Sequence, residues 1–153
     1  MDEIMIRVMR FASQGLYCSQ IIMAMVLETR GMSNQALVRS MAGLAFGCGS
    51  GQASCGVLTG AACALALYTG KSGPDDEESP AFVPMLEELN EWFASEAGCQ
   101  DGAVTCEAIM GPEASRAPQQ KCGALVAKAY VKVMDLLAAN GIDPTIQDSA
   151  AGA

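Results

Sequence analysis

Histidine is missing altogether from this 153-residue chain. Imidazole is the side chain that most often acts as a general base near neutral pH, and it activates the nucleophile in Ser–His and Cys–His pairs. Its absence excludes those pairs, and it excludes zinc or haem that is held by histidine. The C-x-x-C-H motif that attaches c-type haem is excluded for the same reason.

Basic side chains are also scarce, with 9 Lys and Arg against 17 Asp and Glu and a formal net charge of −8. Such an acidic surface repels phosphate backbones, so we do not expect nucleic acid as a partner. No apolar run reaches the roughly 18 residues of a membrane span, so no membrane insertion is expected. The first residues mix charges and do not resemble a secretion signal. We therefore expect a cytoplasmic protein.

What the chain does contain is sulfur, in 7 cysteines and 10 methionines. In a cytoplasmic protein, many cysteines indicate redox chemistry or metal binding more than a disulfide framework. Because the number of cysteines is odd, at least one of them cannot form an internal disulfide. The methionines fall in helical segments without a Met-x-x-Met cluster, which favours core packing over a copper site.

Apolar residues recur at helical spacing along most of the chain, most clearly over 122–137. No segment shows the alternation that is typical of a strand. We predict an all-α, compact bundle of about five to seven helices. It forms a single domain over 1–141, followed by a flexible C-terminal tail over 142–153. Ser33 is expected to cap the start of one helix, and Gly70 to end another.

Four cysteines are predicted at, or within one turn of, a helix N-terminus: Cys18, Cys55, Cys106 and Cys122. Unpaired amide groups and the helix dipole favour a thiolate at such positions. Since histidine is absent, these helix ends, with Lys121 and Arg116 nearby, are the main means of activating sulfur. Ser54 and Thr105 are the expected caps of two of the helices. We therefore predict that the four thiols are catalytic and have lowered pKa values.

The other three cysteines carry weaker signals. Cys63 lies in the middle of a helix among Ala and Leu, and it is expected to fill the core. For Cys48, in a glycine-rich loop, a core role and a functional role are equally supported. The spacing Cys99-x6-Cys106 repeats Cys48-x6-Cys55, which fits local disulfides, paired ligands or coincidence. We include Cys48 and Cys99 among the residues that support the site.

Gly56 and Gly60 leave one face of a predicted helix almost free of side chains. Glycine inside a helix costs about 0.5–1 kcal/mol relative to alanine, so two glycines indicate a constraint from packing or from a site. Another helix could approach this face closely and bring a second cysteine near Cys55. A simple contact between small residues is the alternative.

An acidic segment extends from Ser72 to Ser115 and holds eleven acidic residues and no basic one. A solvated loop and the outer face of one helix account for such a charge run. The alternative is a docking face for a basic partner.

Five sequence features form a series: Gly15–Gln20, Gly43–Gly49, Cys55–Ala61, Cys106 and Cys122. This series resembles the C_GCAxxG_C_C family of bacterial and archaeal redox-active proteins, which have four characteristic cysteines. Val57 stands where the family usually has alanine, and the resemblance covers residues 15–137. It implies a redox role, often beside transporters or electron-transfer proteins, without a settled reaction. A related domain in a multihaem cytochrome is associated with an iron–sulfur cluster.

Several functions remain open from the sequence. In the dithiol hypothesis Cys55 attacks and a neighbouring thiol resolves the mixed disulfide. In the metal hypothesis the four helix-end cysteines, Cys18, Cys55, Cys106 and Cys122, ligate an iron–sulfur cluster or zinc. The chain has neither a C-x2-C-x2-C run, typical of ferredoxins, nor the C-x-x-C of thioredoxins. An adaptor that docks on a redox protein or a transporter is the third hypothesis, and the high apolar fraction is compatible with a homodimer.

Overall fold

Helices form nearly all of the regular structure. The computed structural model describes residues 2–97, 99–111 and 120–147. Its helices are α1 (Glu3–Ser13), α2 (Cys18–Thr29), α3 (Gln35–Met41), α4 (Ala45–Cys48), α5 (Gly56–Thr69), α6 (Phe82–Glu96), α7 (Cys106–Met110) and α8 (Gln120–Ala139). Short 3-10 turns lie at Ala42–Leu44 and Gln100–Gly102. Within these residues no strand is present, and the predicted all-α fold is confirmed.

Helix α2 lies at the centre of the molecule. Every residue from Ser19 to Leu27 is buried, as expected for a helix that is apolar on nearly all sides. It packs on both α5 and α8, while α1 packs on α2 and α8, and α6 packs on α5 and α8. The core therefore lies between α2, α5 and α8, with the other helices around it.

Helix α8 shows the predicted helical periodicity in its buried residues: Cys122, Leu125, Val126, Ala129, Tyr130, Val133, Leu136 and Leu137. On its outer side, the Lys128 ammonium lies 2.5 Å from a Glu96 carboxylate oxygen, and that of Lys132 lies 2.8 Å from Glu88. Ion pairs on the surface contribute about 0–1 kcal/mol each. Apolar burial is therefore the larger force that holds α8 in place.

Arg7 connects three helices near the start of the chain. Its guanidinium donates hydrogen bonds to a Glu28 carboxylate oxygen at 2.8 Å, to the Met25 carbonyl at 2.9 Å and to the Tyr130 hydroxyl at 3.1 Å. These contacts join α1 to both α2 and α8. They hold α1 against the C-terminal half of α2 and the middle of α8.

Two predicted helix ends had different outcomes. Gly70 follows the last residue of α5, as predicted. The prediction for Ser33 is wrong, because Asn34 is the capping residue of α3 and its side chain accepts a hydrogen bond from the Leu37 amide at 3.0 Å. Asparagine caps helices as well as serine does, and here it lies one residue closer to the first turn.

The segment 142–147 contacts the helical core. The Tyr68 hydroxyl donates a hydrogen bond to the Pro144 carbonyl at 2.9 Å, and the Gln147 side chain donates one to the Arg30 carbonyl at 2.8 Å. Residues 148–153 of the predicted tail lie outside the described residues.

Candidate functional site

The four cysteines that were predicted at helix N-termini are all found there. Cys18 is the first residue of α2, and Cys106 is the first residue of α7. Cys122 is the third residue of α8, and Cys55 immediately precedes α5 as its capping residue. Four separate helices therefore each present a cysteine at the end where amide groups are unpaired.

These four cysteines line a single pocket with a volume of about 240 Å³. The remaining lining is largely apolar and comes from α1, the residues between α1 and α2, α2, the turn at 46, α5 and α8: Val8, Ala12, Leu16, Tyr17, Ile21, Phe46, Gly56, Gly123 and Val126. In the part of the chain that the structure describes, no acidic or basic side chain lines this pocket. The site is thus a group of sulfur atoms in an uncharged environment.

Gly56 and Gly60 allow α2 and α5 to approach each other closely. A Cβ atom at Gly56 would lie 2.9 Å from the Cys18 Sγ and 2.8 Å from the Leu44 carbonyl oxygen. One at Gly60 would lie 2.7 Å from a methyl group of Ile22 and 3.0 Å from the Ser19 Cα. Distances under 3.0 Å are too short for a real Cβ contact, so glycine at these positions lets the Cys18 sulfur lie beside the residue that follows Cys55.

A backbone bridge connects the segments that carry Cys55 and Cys106. Ser54 and Thr105 form an isolated antiparallel bridge. The Cys55 amide donates to the Val104 carbonyl at 2.7 Å, and the Cys106 amide donates to the Ala53 carbonyl at 3.3 Å. Residues far apart in the sequence are in this way fixed side by side at the pocket.

Of the two helix caps predicted in this region, one is confirmed and the other is wrong. Thr105 caps α7 as predicted, since its hydroxyl accepts a hydrogen bond from the Ala108 amide at 3.2 Å. Ser54 does not cap α5, and that prediction is wrong, because Cys55 occupies the capping position and Ser54 takes part in the bridge to Thr105. The helix begins one residue later than its sequence pattern suggests.

Burial raises the pKa of every pocket thiol. It raises the pKa of Cys18 to about 12, with a further contribution from the negative charge of Cys55. It also raises the pKa of Cys122 to about 12, and the thiolate of Cys18 adds to this. The pKa values of Cys55 and Cys106 are raised by burial too. The thiols are therefore protonated near neutral pH.

The prediction of lowered pKa values is wrong, although the helix ends are where it placed them. The amides of Val57 and Leu58 do lower the pKa of Cys55, but burial outweighs them. Lys121 lowers the pKa of Cys122 only slightly against burial, and its ammonium donates to the Ile109 carbonyl at 2.8 Å. Arg116 lies outside the described residues. A helix dipole supplies about half a charge, which does not compensate the removal of sulfur from water.

The three additional cysteines lie outside the pocket lining. Cys48 is exposed. Cys63 is half-buried against the core, in agreement with a packing role. Cys99 is half-buried, and its thiol donates to the Ala108 carbonyl at 3.4 Å. In the described part of the chain no disulfide joins any two cysteines, so neither x6 pair is bonded.

A left-handed turn beside the pocket was not anticipated from the sequence. Phe46, Gly47, Cys48 and Gly49 have successive φ angles of 57°, 59°, 55° and 83°. Left-handed backbone costs roughly 1–2 kcal/mol for a residue with a Cβ, and Phe46 and Cys48 both have one. The alternating glycines Gly47, Gly49 and Gly51 predict a loop, but they do not predict which of the intervening residues adopt this conformation.

This turn places the Phe46 ring at the pocket, in contact with Tyr17. The two ring centroids lie 5.0 Å apart with an angle of 69° between the planes, an edge-to-face contact. Both rings line the pocket, and Tyr17 is 47 % exposed. The aromatic pair therefore forms part of the boundary between the cysteines and solvent, and Tyr17 precedes Cys18 in the sequence.

The pocket cysteines are also the ligands of the metal hypothesis. Thiolates suit both zinc and iron–sulfur clusters. Among residues 2–97, 99–111 and 120–147, however, no three His, Cys, Asp or Glu side chains are arranged so that they could hold a metal ion. Among the described residues the four cysteines therefore share a pocket without forming a coordination site.

The molecule is therefore an all-α protein in which four helix N-termini bring cysteines to one apolar pocket. A family model described as "Putative redox-active protein (C_GCAxxG_C_C)" matches residues 16–136. The chain belongs to this family, and the resemblance that its cysteine motifs indicated is confirmed. No curated protein and no solved structure shows significant similarity to it. Over the described ranges, none of the helices combines the length and the hydropathy of a membrane span.

Proposed function

We propose that this protein carries out two-electron thiol–disulfide chemistry with the cysteines of its pocket. The observation that carries the proposal is the location of Cys18, Cys55, Cys106 and Cys122 around one cavity. Membership of a family described as redox-active supports the same conclusion. A thiol pair and a disulfide are both uncharged, so both oxidation states are compatible with an apolar lining.

Cys55 is the proposed attacking residue, and Cys18 the resolving one. The amides of Val57 and Leu58 oppose the effect of burial on the pKa of Cys55 and stabilise its thiolate. The Cys18 sulfur lies beside Gly56, the next residue in the chain. In addition, the charge of Cys55 acts on the pKa of Cys18, as expected for two neighbouring sulfur atoms.

The reaction proceeds by two exchanges. The Cys55 thiolate attacks one sulfur of a substrate disulfide, whose S–S bond breaks, and the leaving thiolate takes up a proton. The Cys18 thiol then gives up its proton and attacks the Cys55 sulfur, and the second substrate sulfur leaves as a thiolate that takes up this proton. Two protein thiols become one disulfide, and the substrate disulfide is reduced to two thiols. Reduction by a redox partner reverses the two steps.

A redox partner and a cytoplasmic location are part of this proposal. Disulfides are rare in the cytoplasm, and the cysteines described here form none. A reducing compartment would return the pocket to its thiol state after each reaction. Among the described residues of the acidic segment, Cys106 alone contributes a side chain to the pocket lining, so partner contact at their carboxylates would not obstruct the sulfur atoms.

A redox titration tests the proposal. Native protein, purified without oxygen, is equilibrated in mixtures of reduced and oxidised dithiothreitol, denatured, alkylated and weighed by mass spectrometry. We expect thiols to disappear in pairs, and Cys55→Ser to lose one pair fewer than the wild type. The matched control Cys48→Ser removes an exposed cysteine and should keep every pair.

Two outcomes would overturn the proposal. One is wild-type protein that keeps all of its pocket thiols across the titration while its exposed thiols oxidise. The other is stoichiometric iron or zinc that is lost in Cys55→Ser but retained in Cys48→Ser. Circular dichroism of each variant establishes that the substituted protein is folded before its thiols are counted.

A further inference from the structure

We infer that the cysteine pocket selects small, uncharged aliphatic disulfides and discriminates against charged ones. This inference rests on the proposed function and concerns the substrate class of the same site. It is based on the chemistry of the pocket lining and on the size of the pocket.

Among the described residues, the lining offers no charged side chain that would pair with an ion. Apart from the cysteines, the lining residues that the structure describes are aliphatic side chains, two glycines, Phe46 and Tyr17, and among them the Tyr17 hydroxyl is the one polar side-chain group besides the thiols. Lys121 lies next to Cys122 in sequence, but it is not part of the lining and its ammonium is held by the Ile109 carbonyl. Moving an ion from water into such surroundings without a partner is strongly unfavourable.

The same environment already acts on the protein's own sulfur atoms. Burial raises the pKa of Cys18 and of Cys122, which means that the pocket disfavours a negative charge at these atoms. A substrate carboxylate beside them would meet the same penalty. A substrate ammonium would be desolvated without a carboxylate to receive it, since no acidic side chain of the described residues lines the pocket.

The size of the pocket excludes large substrates. Its volume of about 240 Å³ is below the roughly 300–1,000 Å³ of pockets that hold drug-sized ligands. A short dialkyl disulfide fits this space, whereas a tripeptide disulfide does not. Entry passes the exposed members of the lining, Ala12 and Tyr17, because the cysteines are buried or half-buried.

The overall charge of the protein makes the opposite prediction, so the two effects can be separated. A net charge of −8 attracts cations to the whole surface and repels anions. If this field controlled the reaction, a dicationic disulfide would react fastest, an uncharged one more slowly and a dianionic one slowest. If the lining controls it, the uncharged disulfide reacts fastest and both ions are slower.

Three disulfides of similar length provide the test: 2-hydroxyethyl disulfide, which is uncharged, cystamine, which carries two positive charges, and dithiodiglycolate, which carries two negative charges. The rate of loss of the Cys55 thiol is measured by peptide mass spectrometry after alkylation. Each rate is divided by that of exposed Cys48 in the same molecule. This ratio cancels the intrinsic reactivity of the reagent and the part of the protein's field that acts equally on both thiols.

We expect the Cys55 to Cys48 ratio to be about tenfold or more higher for 2-hydroxyethyl disulfide than for either ion, since burial of an unpaired charge is costly. Ala12→Lys adds a cation at the exposed part of the lining, in a helix that tolerates lysine. It should raise the ratio for dithiodiglycolate and lower the ratio for cystamine.

Failure of this inference and failure of the proposed function give different results. A ratio that is highest for cystamine, or one that Ala12→Lys does not change, would overturn the inference and leave the proposed function intact. The same holds if oxidised dithiothreitol converts pocket thiols to disulfides while none of the three reagents reaches Cys55. If no oxidant removes pocket thiols in pairs, the proposed function itself fails, and the inference fails with it.

Discussion

At the scale of single residues, Gly56 has no room for a side chain. A Cβ atom there would lie 2.8 Å from the Leu44 carbonyl oxygen and 2.9 Å from the Cys18 sulfur. Gly56→Ala should lower the free energy of unfolding by about 1–3 kcal/mol, because the backbone at Leu44 cannot move without displacing the pocket wall. Urea denaturation followed by circular dichroism measures the change.

Gly43→Ala is the matched control for this substitution. Gly43 is exposed, lies in a 3-10 turn and has no atom within 4 Å of the methyl group that alanine would add. Its unfolding free energy should stay within about 0.5 kcal/mol of the wild type. Equal stability of the two alanine variants would contradict the close contact between α2 and α5.

The raised pKa of Cys18 makes stability depend on alkaline pH. An unfolded thiol ionises near its ordinary pKa of 9.0, whereas the folded one ionises at about 12. Between these values the unfolded chain binds fewer protons than the native state, so the free energy of unfolding falls as pH rises. The contribution of this thiol is complete below pH 9 and disappears through pH 12, with a slope of up to about 1.4 kcal/mol per pH unit.

Cys18→Ala should therefore flatten the decline of stability measured by urea denaturation above pH 9. The decline that remains in the variant includes Tyr68, whose pKa is raised to about 12 by burial, and Cys122. Cys48→Ala, at an exposed position, should keep the slope of the wild type. A variant slope at position 18 that equals that of the wild type would show that Cys18 is not buried in the native protein.

The sequence predicts where the four cysteines lie, but not the direction of their pKa shifts. Spacing and breaker residues placed Cys18, Cys55, Cys106 and Cys122 at helix N-termini, because local pattern determines where a helix begins. The direction of their pKa shifts depends on how much water remains around each sulfur. Burial is a property of the packed molecule, and the helix dipole that a sequence reveals is the smaller of the two effects.

At the scale of elements, the left-handed turn at 46–49 provides a test that separates the penalty of a positive φ from a steric clash of the side chain. A Cβ atom at Gly47 would lie 2.5 Å from the Ala53 carbonyl oxygen, and Gly47 also has a positive φ of 59°. Gly49 has a φ of 83° and no atom within 4 Å of the added methyl group. The two positions share the backbone conformation, but they differ in the space around the new atom.

Gly49→Ala should cost about 1 kcal/mol, which is the conformational penalty alone, whereas Gly47→Ala should cost more than about 2 kcal/mol. The difference is measured by urea denaturation under identical conditions. Gly47→Ala should also displace Phe46, which would change the Tyr17 contact and speed the alkylation of Cys55. Similar costs at the two positions would contradict the described packing of the turn against Ala53.

Helix boundaries show why element prediction succeeds or fails here. Thr105 was identified as a cap because a hydroxyl residue directly precedes the helix, and its hydroxyl does accept the Ala108 amide. Ser54 has the same local signal, but its backbone pairs with that of Thr105 and the helix begins after Cys55. A contact between distant segments overrides the local preference, and one sequence alone does not reveal that contact.

At the scale of the whole molecule, the pocket arises from the way the central helices pack. Helix α2 is buried almost completely and contacts both α5 and α8, so the N-termini of these three helices can meet at one end of the bundle. The helical periodicity predicts the number and faces of the helices. It does not predict which ends meet, and the convergence of the cysteines was a hypothesis until the packing was known.

Part of the acidic segment stabilises the fold of the whole molecule. Glu88 and Glu96 of α6 pair with Lys132 and Lys128 of α8, so part of its charge is used within the protein. Asp76 accepts hydrogen bonds from the Ser72 amide and hydroxyl, both at 2.9 Å, and shapes the loop before α6. These contacts are those of a solvated loop and of the outer face of a helix.

Disulfide mapping of the oxidised native protein tests the central claim, that the helix-end cysteines react with one another, most directly. The protein is oxidised mildly, blocked by alkylation, digested without reduction and analysed for linked peptides. We predict that a peptide containing Cys18 is linked to one containing Cys55, while Cys48 and Cys63 are recovered alkylated. Links confined to Cys48, Cys63 or Cys99, with Cys18 and Cys55 recovered as alkylated thiols, would contradict the account.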